Sequence, residues 1–477
     1  MDIFIPYLFF LLLLPFSLYL ILFFHKDDSD DASNLPPGSK GWPILGENVD
    51  LGLLGLSKFV RDRMEKYSHD VFQTSLLGEK VMIFCGAQGN KIIFTSDVAP
   101  WLPLSLQKVL LPDALAMFRN FQYDTLKPEA LRQYIPVMDE MARGQLAGGG
   151  WRPNSVVKAQ PLINKYTFEL SCRLFLNLVD PERLRKLSDP FAKMRNGLLS
   201  LPIDLPGTAF HRAIKAGNMV RGEMLSIVGA RRKEMNMMVE EIKGDEGRDL
   251  LSKMLLLTDE DGKPVSDKKI ANCFVSLLLA SYDSTAAALT SVVYFLAQLP
   301  HVYELVLKEQ MAIAKSKAPG ELLTWQDVEN MNYSWNVARE TLRLVPPSPG
   351  TFREATTDIT FAGYTIPTGM KALWTPHSSH SNPDYFPEPD KFDPSRFDGT
   401  GPPPYTFVPF GGGPRMCPGR VYAKLAILVL MHNLVTSFRL ERAIPHEKMV
   451  LQVAPLPTHG LQLYLKPHYP NSSPASH

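Results

Sequence analysis

Cysteine is scarce in this 477-residue chain: Cys85, Cys172, Cys273 and Cys417 are widely scattered, and no two stand at CxxC spacing. That pattern gives no zinc cluster and no disulfide framework, and it fits a reducing compartment. An excess of one charge is also missing, with 50 Lys and Arg against 49 Asp and Glu and no long basic run. Nucleic acid is therefore not an expected partner. No GxGxxG fingerprint is present, so flavin or nicotinamide chemistry would have to come from another protein. Neither a fixed-period repeat nor a long low-complexity linker divides the chain. With hydrophobic residues at 45% and charged residues at 21%, it reads as one large globular unit.

What the sequence has in strength begins at its N-terminus. Ile3 to Phe24 runs without a charge and is long enough to cross a bilayer as a helix, tolerating Pro6 and Pro15. The run is longer than a signal peptide's apolar region and lacks a small-residue cleavage site, so an uncleaved anchor is expected over residues 1–25. One lysine in the acidic flank His25 to Asp31 does not specify orientation. Prolines and glycines between Leu35 and Gly46 suggest a semi-rigid hinge closing residues 26–46, with the globular domain spanning 47–477.

Within that domain most of the chain is expected to be helical, with strands at Val71–Leu76, Val81–Cys85 and around Asp358–Ile366. Ser266 to Leu299 is almost continuously apolar or small, opens on a capping Ser-Asp pair and stops at Pro300. A second membrane span is disfavoured by Asn272, Ser276, Ser281, Asp283, Ser284 and Thr285, which are costly in lipid, so a buried central helix is expected. Prolines between Pro383 and Pro404 mark an irregular meander.

After that meander comes Phe410-Gly411-Gly412-Gly413-Pro414-Arg415-Met416-Cys417-Pro418-Gly419, followed by the apolar, helix-length run Val421 to Phe438. A cysteine at a helix N-terminus is favoured as thiolate, the form that binds metal. Three glycines let backbone approach a flat cofactor, and the planar fork of Arg415 suits a carboxylate. Taken alone, Cys417 reads as a buried structural cysteine, which is what most lone cysteines are.

The string resembles the heme-binding signature of the cytochrome P450 superfamily, Phe-x-x-Gly-x-Arg-x-Cys-x-Gly, matched at Phe410, Gly413, Arg415, Cys417 and Gly419. The resemblance implies a mainly α fold with small β-sheets, holding heme b whose iron takes the Cys417 thiolate. Ala280-Ser281-Tyr282-Asp283-Ser284-Thr285 is similar to the family's oxygen-binding motif, with Ser281 where glycine is usual and Ser284 where threonine is usual. Asp283, Ser284 and Thr285 are thereby the catalytic candidates, a carboxylate and hydroxyls able to relay protons. Glu340 and Arg343 share a helix face in Trp335–Leu344 and resemble the family's Glu-x-x-Arg pair, completed by Arg396 as a structural network. Arg119 and Arg353 resemble arginines that meet heme propionates.

Similarity to the superfamily covers essentially the whole chain. Phe121–Asp139, Leu205–Ala216 and Phe386–Phe397 are most similar to plant enzymes that oxidise triterpenoid and taxane skeletons, although Trp101 to Arg119 is several residues shorter than in such relatives. The implied activity is hydroxylation of an apolar terpenoid with dioxygen, using electrons from an NADPH-cytochrome P450 reductase docked near Arg420 and Lys424. The implied location is the endoplasmic reticulum membrane, single-pass with a cytosolic domain. Two alternatives stay open here: an oxygen-independent heme-thiolate isomerase or dehydratase, and a non-catalytic membrane heme scaffold.

Overall fold

The computed structural model describes residues 15, 17, 34–42, 46–76, 78–101, 126–148, 150–197, 200, 203–237, 249–259, 261–451 and 455–468. The expected anchor, two isolated positions apart, and the segment carrying Arg119 lie outside the described residues.

The central element is helix α6 (Asp267–Gln298), capped by Ser266, whose Oγ accepts the Lys269 N–H, and ended by Pro300. Of its most apolar eighteen residues, 83% are buried inside the protein, so the run that could span a bilayer by length is a core helix. It packs against α3 (Ala159–Leu176), α5 (Ala209–Met237), α8 (Asn332–Leu344) and α9 (Arg420–Ser437). Around these lie α1 (Gly86–Thr95), α2 (Ile135–Gly148), α4 (Pro181–Asn196) and α7 (Pro300–Lys315). Helix α9 is apolar on nearly every side and buried from Leu425 to Val435, which only a helix enclosed by others can be.

The two larger sheets have five and three strands among the described residues. Strands β1 (Val71–Leu76), β2 (Glu79–Phe84), β3 (Val98–Pro100), β4 (Thr351–Ala355) and β5 (Lys371–Trp374) form one in the order β1-β2-β5-β4-β3, with β2 and β5 parallel. Val156–Lys158, Gln462–Pro467 and Phe438–Arg442 form an antiparallel second, the middle segment at its centre. Two expectations are corrected in detail. β2 begins at Glu79, because Gly78 takes the left-handed conformation (φ 83°) and Glu79 and Lys80 enter the ladder opposite Leu76 and Ser75. The Asp358–Ile366 stretch is a hairpin, Ile359–Phe361 with Tyr364–Ile366, because Ala362 (φ 50°) and Gly363 (φ 83°) both take the left-handed conformation that a two-residue turn demands.

The Pro/Gly segment read as a hinge is fastened to the globule over its described part. Thr365 N–H bonds Asn34 O at 2.8 Å, Gln73 N–H bonds Pro37 O at 2.9 Å and Ser39 N–H bonds Gln73 O at 3.2 Å. A Cβ at Gly38 would stand 1.9 Å from Gln73 O, so glycine there serves close approach to β1.

Candidate active site

Helix α9 starts three residues after Cys417, and the loop before it is folded by its own backbone: Cys417 N–H donates to Phe410 O at 2.8 Å and Met416 N–H to Gly413 O at 3.1 Å. Glycine is required here by a neighbour. A Cβ at Gly412 would lie 2.4 Å from the Phe94 ring of α1, and one at Gly413 (φ 63°) 2.2 Å from Phe94 O. Gly419 caps α9, its would-be Cβ 3.8 Å from Cys417 Sγ. Phe410 packs half-buried against the main core, while Arg415 is exposed in the single 3-10 turn Gly413–Arg415.

The four cysteines separate cleanly in this setting. Cys85, Cys172 and Cys273 are buried, and burial pushes their thiols up, Cys273 to about 12, which suits inert core residues. Cys417 alone is exposed.

On α6, every residue from Ile270 to Leu296 is buried or half-buried except Ala280 and Ser284, one turn apart on a single face. Exposure in the middle of a core helix marks open space beside it. Ser284 Oγ donates to Ala280 O at 2.7 Å, diverting a helix carbonyl at that spot. Asp283 is 13% exposed and paired with Arg195 of α4 at 2.7 Å, whereas Thr285 is buried. Ser281 Oγ points the other way, donating to Ser171 Oγ of α3 at 3.0 Å.

Glu340 and Arg343 form two parallel bonds, Nε to Oε2 at 2.7 Å and Nη2 to Oε1 at 2.8 Å, with side chains 0% and 1% exposed. Arg396 Nε approaches Glu340 Oε1 at 3.4 Å, and Asp393 N–H donates to the same oxygen at 2.9 Å. Arg343 Nη1 also donates to His380 O at 2.9 Å. His380 itself was not singled out from the sequence. Its Nε2 accepts the Val408 N–H at 2.9 Å, which fixes the proton on Nδ1, facing Arg343 O at 3.1 Å. This neutral ring joins the Glu-Arg pair to the chain entering the cysteine loop, and burial lowers its pKa to about 3.

The structure thus brings Phe410, Gly413, Arg415, Cys417 and Gly419 into one loop and Glu340, Arg343 and Arg396 into one cluster. Arg353 lies on β4, its Nη1 donating to Phe352 O at 2.8 Å. Sequence reasoning missed Arg195 and Ser171 as well, which reach the central helix from 88 or more residues away, and Tyr422, which meets Ser171; none carries a local spacing signal.

The residues present fit a flat macrocycle carried on sulfur: an exposed cysteine at a helix N-terminus, a loop whose glycines press on Phe94, and small exposed residues on the core helix. Comparison with known proteins agrees. The family model described as Cytochrome P450 matches residues 36–463. The chain is 49% identical to a beta-amyrin 6-beta-monooxygenase of Solanum lycopersicum over 98% of this chain and 100% of that one. It is 46% identical to a beta-amyrin 28-monooxygenase of Vitis vinifera, covering 95% of this chain and 96% of that one. Among solved structures, retinoic acid-bound cyanobacterial CYP120A1 superposes with a TM-score of 0.80 at 30% identity, covering 91% of this chain and all of the other. An exposed cysteine in a glycine loop and a match along nearly the whole length lead to one conclusion: the chain belongs to the cytochrome P450 family, a monooxygenase that carries heme on a cysteine thiolate.

Proposed function

We propose that this enzyme hydroxylates an apolar triterpenoid of the β-amyrin class, with dioxygen and with electrons from an NADPH-cytochrome P450 reductase. The observation that carries this reading is the 49% identity, end to end, with a beta-amyrin 6-beta-monooxygenase, supported by several beta-amyrin 28-monooxygenases at 45–46%. Those relatives oxidise different carbons, so the proposal extends to the ring system and leaves the carbon to product analysis.

Cys417 would be the thiolate ligand, with Phe410, Gly413 and Gly419 shaping its loop and Arg415, Arg353 and Arg119 meeting the propionates. When bound, heme on a thiolate activates dioxygen so that one oxygen atom enters an unactivated C–H bond. Asp283 and Ser284 would supply the protons that this needs, Ser284 from the exposed face of α6 and Asp283 subject to its pairing with Arg195. Thr285, buried on the next step of the helix, would support that segment. Glu340, Arg343 and Arg396 would hold the side of the fold behind the cysteine loop.

Residues 1–25 would anchor the chain in the endoplasmic reticulum membrane with the domain in the cytosol, and 26–46 would join anchor to the heme-thiolate domain of 47–477. For reductase docking, Arg420 is exposed, whereas Lys424 is drawn over the Trp335 ring at 5.6 Å and burial lowers its pKa, which leaves Arg420 the more available charge.

The test is a reduced carbon-monoxide difference spectrum of the full chain and of Cys417→Ser, followed by turnover of β-amyrin with reductase and NADPH. A thiolate signature in the wild type, its loss in Cys417→Ser and a hydroxylated triterpenoid are expected. Turnover of fatty acids or small phenolics with no triterpenoid product would overturn the substrate assignment.

A further inference from the structure

We propose that Ser281, Ser171 and Tyr422 form a buried chain of hydroxyls that fixes the rotation of the central helix relative to the helix behind the cysteine loop, which makes them positioning residues for the oxidation. Ser281 stands where the resembled motif has glycine, and its hydroxyl is turned away from the open face of α6. It donates to Ser171 Oγ at 3.0 Å, with Leu278 O at 3.3 Å as the alternative acceptor. Ser171 Oγ lies 3.1 Å from the Tyr422 hydroxyl on α9, five residues beyond Cys417. The three side chains belong to three different helices and are 8%, 0% and 2% exposed.

Burial is what gives this chain its force. A hydroxyl sealed among apolar side chains must keep a partner, so displacing Ser171 strands the Tyr422 hydroxyl and leaves Ser281 with Leu278 O alone. Apolar packing at the same place, such as the Tyr422 ring 5.4 Å from that of Phe175, tolerates small rotations, because dispersion has no direction. Hydrogen bonds do have direction. Ser281 lies one residue from Ala280 and three from Ser284, the two that α6 exposes, so a constraint on Ser281 sets where the Ser284 hydroxyl points. The inference rests on the reading above, in which Cys417 ligates the iron and Ser284 supplies protons.

The experiment compares amide hydrogen exchange of residues 278–285 in the full-length, heme-loaded wild type, Tyr422→Phe, Ser171→Ala, Ser281→Gly and the Ser171→Ala/Tyr422→Phe pair. Tyr422→Phe keeps the ring against Phe175 and breaks only the far link. It is expected to speed exchange in 278–285 about tenfold, Ser171→Ala to do the same, and the pair to add nothing further. Product per reductant consumed should fall about two- to threefold in each, with KM unchanged, as for a misdirected proton donor and an intact pocket. Unchanged exchange at 278–285 in Tyr422→Phe overturns the proposal, as does simple addition in the pair. If Ser171→Ala does not fold, Tyr422→Phe decides alone. Exchange does not depend on which residue ligates the iron, and the reduced carbon-monoxide spectrum of the wild type tests that reading separately.

Discussion

Two carboxylates, the buried Glu340 and the half-buried Asp283, each face an arginine, and they are built to opposite ends. Glu340 is fully enclosed, with both oxygens engaged by Arg343 and one also by Asp393 N–H and Arg396. Asp283, among the described residues, pairs with Arg195 on a neighbouring helix, both side chains being 13–14% exposed. The first arrangement cannot be exchanged without stranding a charge in the core. The second can open at smaller cost, and that freedom suits the role proposed for Asp283, passing protons on.

The largest effect is expected at the closed end. Arg343→Ala leaves Glu340 buried without its bidentate partner, at a cost of about 3–5 kcal/mol. It should lower the denaturation midpoint and yield protein without heme; a midpoint near that of the wild type would mean the pair is not the keystone described.

Acid should attack the same region next. His380 is fully buried and neutral, with its pKa lowered to about 3 from 6.5 by burial. Below pH 6.5 the unfolded chain takes up that proton and the folded chain does not, so stability is lost as pH falls from 6.5 towards 3. The slope is about 1.4 kcal/mol per pH unit, or roughly 2 kcal/mol by pH 5. Burial also lowers the His377 and His432 pKa values to about 4, so denaturant titrations at pH 7.5, 6 and 5 should show a slope that His380→Gln reduces without abolishing.

At the open end, Arg195→Ala is expected to cost only about 1 kcal/mol. Its mark should fall on chemistry, as a changed pH dependence of reductant consumption with heme content intact. If Arg195→Ala destabilises as much as Arg343→Ala, the contrast between the two carboxylates disappears.

The two ends also differ in how far the sequence announces them. Glu340 and Arg343 lie three apart on one helix, and the Cys417 loop is a contiguous string, so spacing was enough to group them. α6 was legible from Ser266 to Pro300 because a cap, an apolar run and a breaker are all local signals. Asp283's partner was not, since Arg195 is 88 residues away and sits among other basic residues of α4 with nothing to distinguish it. His380 and Tyr422 were hidden for the same reason: their roles come from tertiary contacts at separations of 28 and 251 residues. The strand signal around Asp358–Ile366 does not show the reversal inside it, because Ala362 is an uncommon residue for a left-handed turn.

The docking of Asn34 and Pro37 onto the sheet side of the globule sets a leash. With the proposed anchor ending at His25, roughly eight residues separate bilayer from globule, a reach of about 30 Å at full extension. That is comparable to the globule's own radius, so the domain would be confined to the lipid surface instead of roaming the cytosol. An apolar triterpenoid dissolved in the bilayer would then be met at its source, with little water to cross, and local membrane concentration would govern supply more than aqueous solubility.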